Sequence, residues 1–131
     1  EVPSRGLGDV YKRQLLSVAL KNLELIIDKK TALMHICQND LIKNNYKKGD
    51  SEGIVNYGLT LSGIQFSVIF IEDENEKNKF KISFRSKEDF PCNEFASIFF
   101  DGGGHLNAAG GIFIGNLNSA IEYFKKSLNE F

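Results

Sequence analysis

Residues 64–71 (IQFSVIFI) and 80–85 (FKISFR) are two apolar-rich runs separated by the polar stretch 72–79 (EDENEKNK). No other pattern limits the fold as strongly. Runs of this length rich in Ile, Val and Phe read as strands, and the polar stretch joins them as an antiparallel hairpin. The second run alternates strictly, so Phe80, Ile82 and Phe84 point to one face while Lys81, Ser83 and Arg85 point to the other. The first run is apolar almost throughout and is expected to be the more central strand. The charged stretch between them reads as a solvated turn.

Elements on either side of the hairpin follow from periodicity and punctuation. Leu15, Leu16, Ala19, Leu20, Leu23, Ile26 and Ile27 recur at spacings of three and four, which predicts a helix running to about Asp28. Residues 31–38 (TALMHICQ) predict a strand, after which Asn39 and Asp40 cap a short helical turn through Leu41 and Ile42. Lys47, Lys48 and Gly49 mark a loop. Asp50, Ser51, Glu52 and Gly53 open a helix over 54–59, with a side-chain oxygen available to its first amides, and Gly63 closes it. Beyond Pro91, residues 92–100 (CNEFASIFF) place Phe95, Ala96 and Phe99 at helical spacing, hence a short buried helix. Asp101, the glycines 102–104 and His105 are expected as a loop, followed by Ala108, Ala109, Gly110 and Gly111. A strand over 112–114 and a terminal helix capped by Asn118 complete the chain. The fold class expected from this order is α/β: a mixed β-sheet with a central antiparallel hairpin, flanked by helices.

Composition narrows the function classes. A chain of 131 residues has room for one domain. Its 16 basic and 17 acidic residues give a net charge of -1, so no global basic field collects polyanions and any anion needs a local site. No apolar run is long enough to span a membrane. Cys37 and Cys92 lie far apart with no CxxC, which argues against a disulfide framework or zinc ribbon and fits a reducing, cytoplasmic setting. The sole methionine is Met34, within a predicted strand, so the chain reads as a fragment. Residues 4–14 (SRGLGDVYKRQ) resemble the in-frame translation of a transposase adapter from DNA-library preparation. Residues 1–14 are therefore expected to be an adapter-derived, non-native tail, and 15–131 one domain.

Few residues offer chemistry. Three consecutive glycines, Gly102, Gly103 and Gly104, suggest backbone geometry or a close approach that a Cβ would obstruct. Their amides can cradle a phosphate as a nest, with His105 donating to the same oxygens; the plainer alternative is a tight connection with an exposed histidine. Arg85, beside Ser83 and Ser86, is either a bidentate phosphate fork or a solvated strand-end charge, and Lys81 is read as solvated. Only His35 and His105 are available as histidine ligands, so a catalytic metal centre finds no ligand set here. His35 reads as a structural histidine, and both cysteines as buried small hydrophobes rather than nucleophiles.

Four segments taken together resemble the DHH-associated (DHHA, subfamily one) domain of DHH-family phosphoesterases. They are 50–57 (DSEGIVNY), 81–86 (KISFRS), 89–93 (DFPCN) and 102–111 (GGGHLNAAGG). The resemblance spans essentially all of 15–131 and is closest to bacterial bifunctional oligoribonuclease and pAp phosphatase enzymes. It implies a substrate-binding domain that closes over a separate DHH domain, where aspartates and histidines hold manganese for hydrolysis. Arg85 and Ser86 are then expected at the substrate phosphate, and Gly102, Gly103, Gly104 and His105 around the nucleotide. No DHH motif occurs in the chain, so no catalytic residue, metal ligand or cofactor is assigned to it. Its implied partners are short oligoribonucleotides or pAp and the DHH domain of the same parent protein. A non-catalytic nucleic-acid-binding module, a cyclic-dinucleotide phosphodiesterase domain and a structural or dimerising domain stand as alternatives.

Overall fold

The two dominant runs form the middle of a six-stranded sheet in the computed structural model, which describes residues 2–43 and 49–131. In chain order the elements are helix α1 (Val2–Lys21), strand β1 (Glu24–Ile26), a 3-10 turn (Ile27–Lys29), β2 (Thr31–Ile36), α2 (Gln38–Lys43) and α3 (Asp50–Leu59). There follow β3 (Phe66–Glu72), β4 (Lys79–Ser86), α4 (Cys92–Phe99), β5 (Gly103–His105), β6 (Ala108–Ile114) and α5 (Leu117–Glu130). The sheet order is β1-β2-β3-β4-β6-β5. Only β2 and β3 run parallel; every other neighbouring pair is antiparallel. This is the mixed sheet with a central hairpin and flanking helices that the sequence implies.

Strand alternation divides the core into two layers. On one face Phe66, Val68, Phe70, Phe80, Ile82 and Phe84 pack against Phe95 and Phe100, at and just beyond α4, and against Phe124 and Leu128 of α5. Phe95 meets Phe66 and Phe84 edge-on, with ring centroids 5.2 and 5.7 Å apart, the geometry that aromatic quadrupoles favour. On the opposite face Met34, Ile36, Ile69 and Ile71 pack under Leu15 and Ala19 of α1, Leu41 of α2 and Ile54 and Val55 of α3. That second layer draws its strand residues from β2 and β3 alone. On the same face α3 also borders β4, while β6 lies open beyond it, with Ile112 and Ile114 40% and 65% exposed.

Several local expectations need correction; among them, α2 begins at Gln38, so Asn39 and Asp40 lie within that helix rather than capping it. The first helix ends at Lys21, because residues 24–26 pair with β2 as an edge strand and the Asn22 side-chain amide donates to the His35 carbonyl. Ile26 still reaches the core, but from a strand, and Ile27 lies in the 3-10 turn. The N-cap of α3 is Gly49, in the left-handed region, with no side-chain capping bond. Gly103, Gly104 and His105 form a strand rather than a loop, and β6 begins at Ala108, four residues before the expected start, because β4 and β5 both pair with it there. The last helix is capped by Asn116, whose Oδ1 accepts from the Ser119 amide, and not by Asn118. Cys92 is fully buried as expected, whereas Cys37 is only half-buried. The Lys47 and Lys48 part of the expected loop lies outside the described residues. α1 runs through the segment set aside as tail.

Among the described residues, no helix is long and apolar enough to cross a membrane.

Candidate functional site

Register brings the residues singled out in the sequence into rows across β4, β6 and β5. Arg85 of β4 pairs with Ala108 of β6, which pairs with His105 of β5. Directly paired residues of antiparallel strands point to the same face, so Arg85 and His105 share one face, separated by a single alanine. The next row on that face is Ser83, Gly110 and Gly103, and beyond it comes Lys81 beside Ile112. The alternate rows, Phe84 with Ala109 and Gly104, and Ile82 with Gly111, turn toward the aromatic layer.

The glycine triplet divides by the same parity. A Cβ on Gly104 would lie 2.5 Å from the Ala108 carbonyl oxygen, and its φ of +153° is one that L side chains rarely adopt. On Gly102 a Cβ would overlap the Gly110 carbonyl oxygen. Both glycines are required by the packing of β5 on β6. Gly103 is different: a Cβ there meets nothing within 4 Å. Its partner Gly110 meets only the Ile82 carbonyl oxygen at 3.4 Å, an ordinary contact. Bare backbone at these two positions is not demanded by the fold and leaves a flat floor between Arg85, Ser83 and His105.

Arg85 is held at the edge of this floor. Its side chain is 18% exposed, Nη1 donates to the Phe84 carbonyl at 2.9 Å and more weakly to that of Ala109 at 3.5 Å, and Nη2 lies 3.5 Å from the Glu52 carboxylate of α3. Glu52 is itself 68% exposed, so the pair is the kind whose net worth is small, about 0–1 kcal/mol. Between α3 and β4 runs a groove of about 540 Å³, with Lys81, Ser83 and Arg85 along one wall and Ser51 and Glu52 along the other. The β3-β4 turn closes it at Glu74 and Asn75.

Ser86 lies off this face. It is 5% exposed; its hydroxyl donates within 2.7 Å of the Phe90 carbonyl and 3.3 Å of that of Leu106, and accepts from the Asn107 side-chain amide at 2.9 Å. The same amide reaches the Glu88 carbonyl at 3.2 Å, where Glu88 takes a positive φ of 54°. Ser86 and Asn107 therefore clamp the 87–91 loop to the β5-β6 turn. Cys92 completes the brace: its amide donates to the Leu106 carbonyl at 3.0 Å, and its thiol lies 3.9 Å from the carbonyl of His105. Burial pushes that thiol up from its ordinary range, against smaller downward pulls from Ser86 and Arg85, so it is a protonated structural group. Sequence reasoning missed Asn107, although it stands inside the glycine-histidine segment, and Glu52, whose ion pair no spacing announces.

Among the described residues no three His, Cys, Asp or Glu side chains converge as metal ligands. The manganese that the family resemblance implies belongs to the separate DHH domain, and the donors described on this face do not make a site for it. What the face offers chemically is a guanidinium, an imidazole, a hydroxyl and an amine around exposed backbone: a surface for holding an anion in place.

Comparison with known proteins identifies the family and the fold. The DHHA1 domain profile matches residues 27–131. An exopolyphosphatase-related protein from Bacteroides fragilis shares 39% sequence identity and superimposes with a TM-score of 0.84, covering 92% of this chain and 34% of that one. A pGpG-specific phosphodiesterase from Vibrio cholerae matches at TM-score 0.62 and 14% identity, covering 96% of this chain and 39% of its own, a likeness of fold. An uncharacterized protein from Helicobacter pylori, at TM-score 0.51 and 22% identity, covers 88% and 30% respectively. The chain thus spans between 30% and 39% of the length of these solved structures. No curated protein matches it.

Proposed function

The chain belongs to the DHHA1 domain family, a domain of DHH-family phosphoesterases, and from that membership we propose that it binds the phosphate of short oligoribonucleotides or pAp. Hydrolysis is assigned to a manganese-bearing DHH domain of the parent protein, working on substrate that this domain holds. The observation that carries the reading is the row Arg85, Ala108, His105 beside the bare backbone of Gly103 and Gly110, on the face of the sheet that α3 borders at β4. Arginine's planar fork suits a phosphate, and its contacts with the Phe84 and Ala109 carbonyls keep it oriented before a ligand arrives. Positioning of this kind is what a hydrolase whose chemistry resides on metal ions needs from a second domain. Gly104 and Gly102 serve by keeping β5 pressed on β6, and Ser86 by holding the turn that presents His105.

The test is calorimetric titration of the chain with pAp and with the 5′-phosphorylated dinucleotide pApA. Arg85→Ala removes a charge-assisted contact of about 1.5–3 kcal/mol and is expected to weaken binding roughly 10- to 100-fold. His105→Ala is expected to weaken it by several-fold. Unchanged affinity in both variants overturns the reading. So does robust hydrolysis of either ligand by the chain alone with manganese. Polyphosphate and pGpG, the ligands suggested by the relatives' names, serve as competitors: preference for either would move the substrate class without moving the site.

A further inference from the structure

Of the three cationic residues that alternate along β4, two have carboxylate partners. Lys79 pairs with Glu76 at 3.6 Å and Arg85 with Glu52 at 3.5 Å. Lys81 enters none of the ion pairs formed among the described residues, yet it is exposed on the same face as Arg85 and lines the same groove. Four residues along an antiparallel strand span about 13 Å, and Ser83 sits at the midpoint with its hydroxyl on that face. Two cations at the ends of a groove, with a hydroxyl between them and nothing bulky at Gly110 beside them, match a ligand carrying two separated phosphates.

We infer that Lys81 is the anchor for a second phosphate, so that the groove along β4 measures the ligand from Arg85 to Lys81. This rests on the phosphate-binding role proposed for Arg85. The far end of the groove sets the upper limit. Glu72 and Asp73 are fixed at the hairpin turn, Glu72 accepting from the amides of Gln38 and Asn78 and Asp73 from those of Asn75 and Glu76. With Glu74 beside them, these carboxylates meet any phosphate that continues past Lys81 and repel it. The groove therefore favours a nucleoside bisphosphate or a 5′-phosphorylated dinucleotide over both a mononucleotide and a longer strand.

The experiment titrates the full chain and its Lys81→Ala and Arg85→Ala variants with adenosine 5′-monophosphate, pAp, pApA and pApApA, with a thermal melt on each. Lys81→Ala is expected to weaken pAp and pApA about fivefold or more while leaving the monophosphate unchanged; Arg85→Ala weakens all of them. In the unsubstituted chain, pApApA binds no tighter than pApA. If Lys81→Ala leaves every affinity unchanged, or lowers all of them equally, the second anchor is overturned while the role of Arg85 stands. A trimer bound several-fold tighter than the dimer overturns the length limit. If the unsubstituted chain binds none of the four, the proposed function falls and this inference with it.

Discussion

Adjacent glycines in this chain do opposite jobs, and substitution separates them. Gly104→Ala forces a Cβ against the Ala108 carbonyl and the Ala109 backbone at a φ of +153°, so it should lower stability by roughly 1–3 kcal/mol and appear as a drop in the thermal midpoint. Gly103→Ala meets open space and should leave the midpoint unchanged while weakening pAp binding by covering the floor of the site. Equal effects of both substitutions on stability would undo the distinction. The triplet was visible in the sequence; which member the fold leaves free of packing was not, because that depends on register with Gly110, Ala109 and Ala108 across the sheet. Ser86 makes the same point from the other side. Sequence adjacency placed it with Arg85, but the period of two in a strand turns neighbours to opposite faces, and its hydroxyl is engaged with Phe90, Leu106 and Asn107. Ser86→Ala is expected to cost about 1–3 kcal/mol of stability through unpaired carbonyls and an unpaired amide, read from denaturant unfolding. A loss confined to ligand affinity would instead place the hydroxyl at the ligand.

Elements with a strong period were legible, and elements without one were not. β4 was readable because Phe80, Ile82 and Phe84 alternate with polar residues, and α4 because Phe95, Ala96 and Phe99 recur at helical spacing and face one core. β5 was not, since glycine has no side chain to pattern and is usually depleted from strands; pairing with β6 holds it in place despite propensity. The stretch from Leu23 to Ile27 fits either period, and edge pairing with β2 decides for the strand. At α5 two asparagines two residues apart compete as caps. Only Asn116 has the extended backbone, ψ of 170°, that directs its Oδ1 to the Ser119 amide. Asn116→Ala is therefore expected to cost about 0.5–2 kcal/mol, with Asn118→Ala near zero, by chemical denaturation; equal costs would argue against the assigned cap.

At the scale of the whole molecule, three partly or wholly buried titratable groups among the described residues shape the response to pH. Burial lowers the imidazole of His35 from 6.5, with Asp40 opposing more weakly. Below pH 6.5 the unfolded chain takes up a proton that the folded chain resists, so stability should fall as pH drops from there through the folded value. Burial raises the thiols of Cys37 and Cys92 from 9.0, and above that pH the unfolded chain releases protons that the folded one keeps, so stability should fall again on the alkaline side. Urea midpoints measured across pH should show a plateau between the two limbs, and His35→Gln should flatten the upper part of the acidic one. An unchanged slope in that variant would show that His35 does not contribute.

The sheet that is packed under helices at β2 and β3 but only bordered by α3 at β4 has a consequence for how such a domain can diversify. Along β4 the even-numbered residues 80, 82, 84 and 86 are buried, while the odd-numbered residues 81, 83 and 85 face the open side. Selection on recognition and selection on folding therefore act on interleaved but separate letters of the same eight-residue word. A library that varies 81, 83 and 85 together should remain largely folded while its ligand preferences scatter, which makes this strand a place where a lineage can change what it recognises without first relearning how to fold.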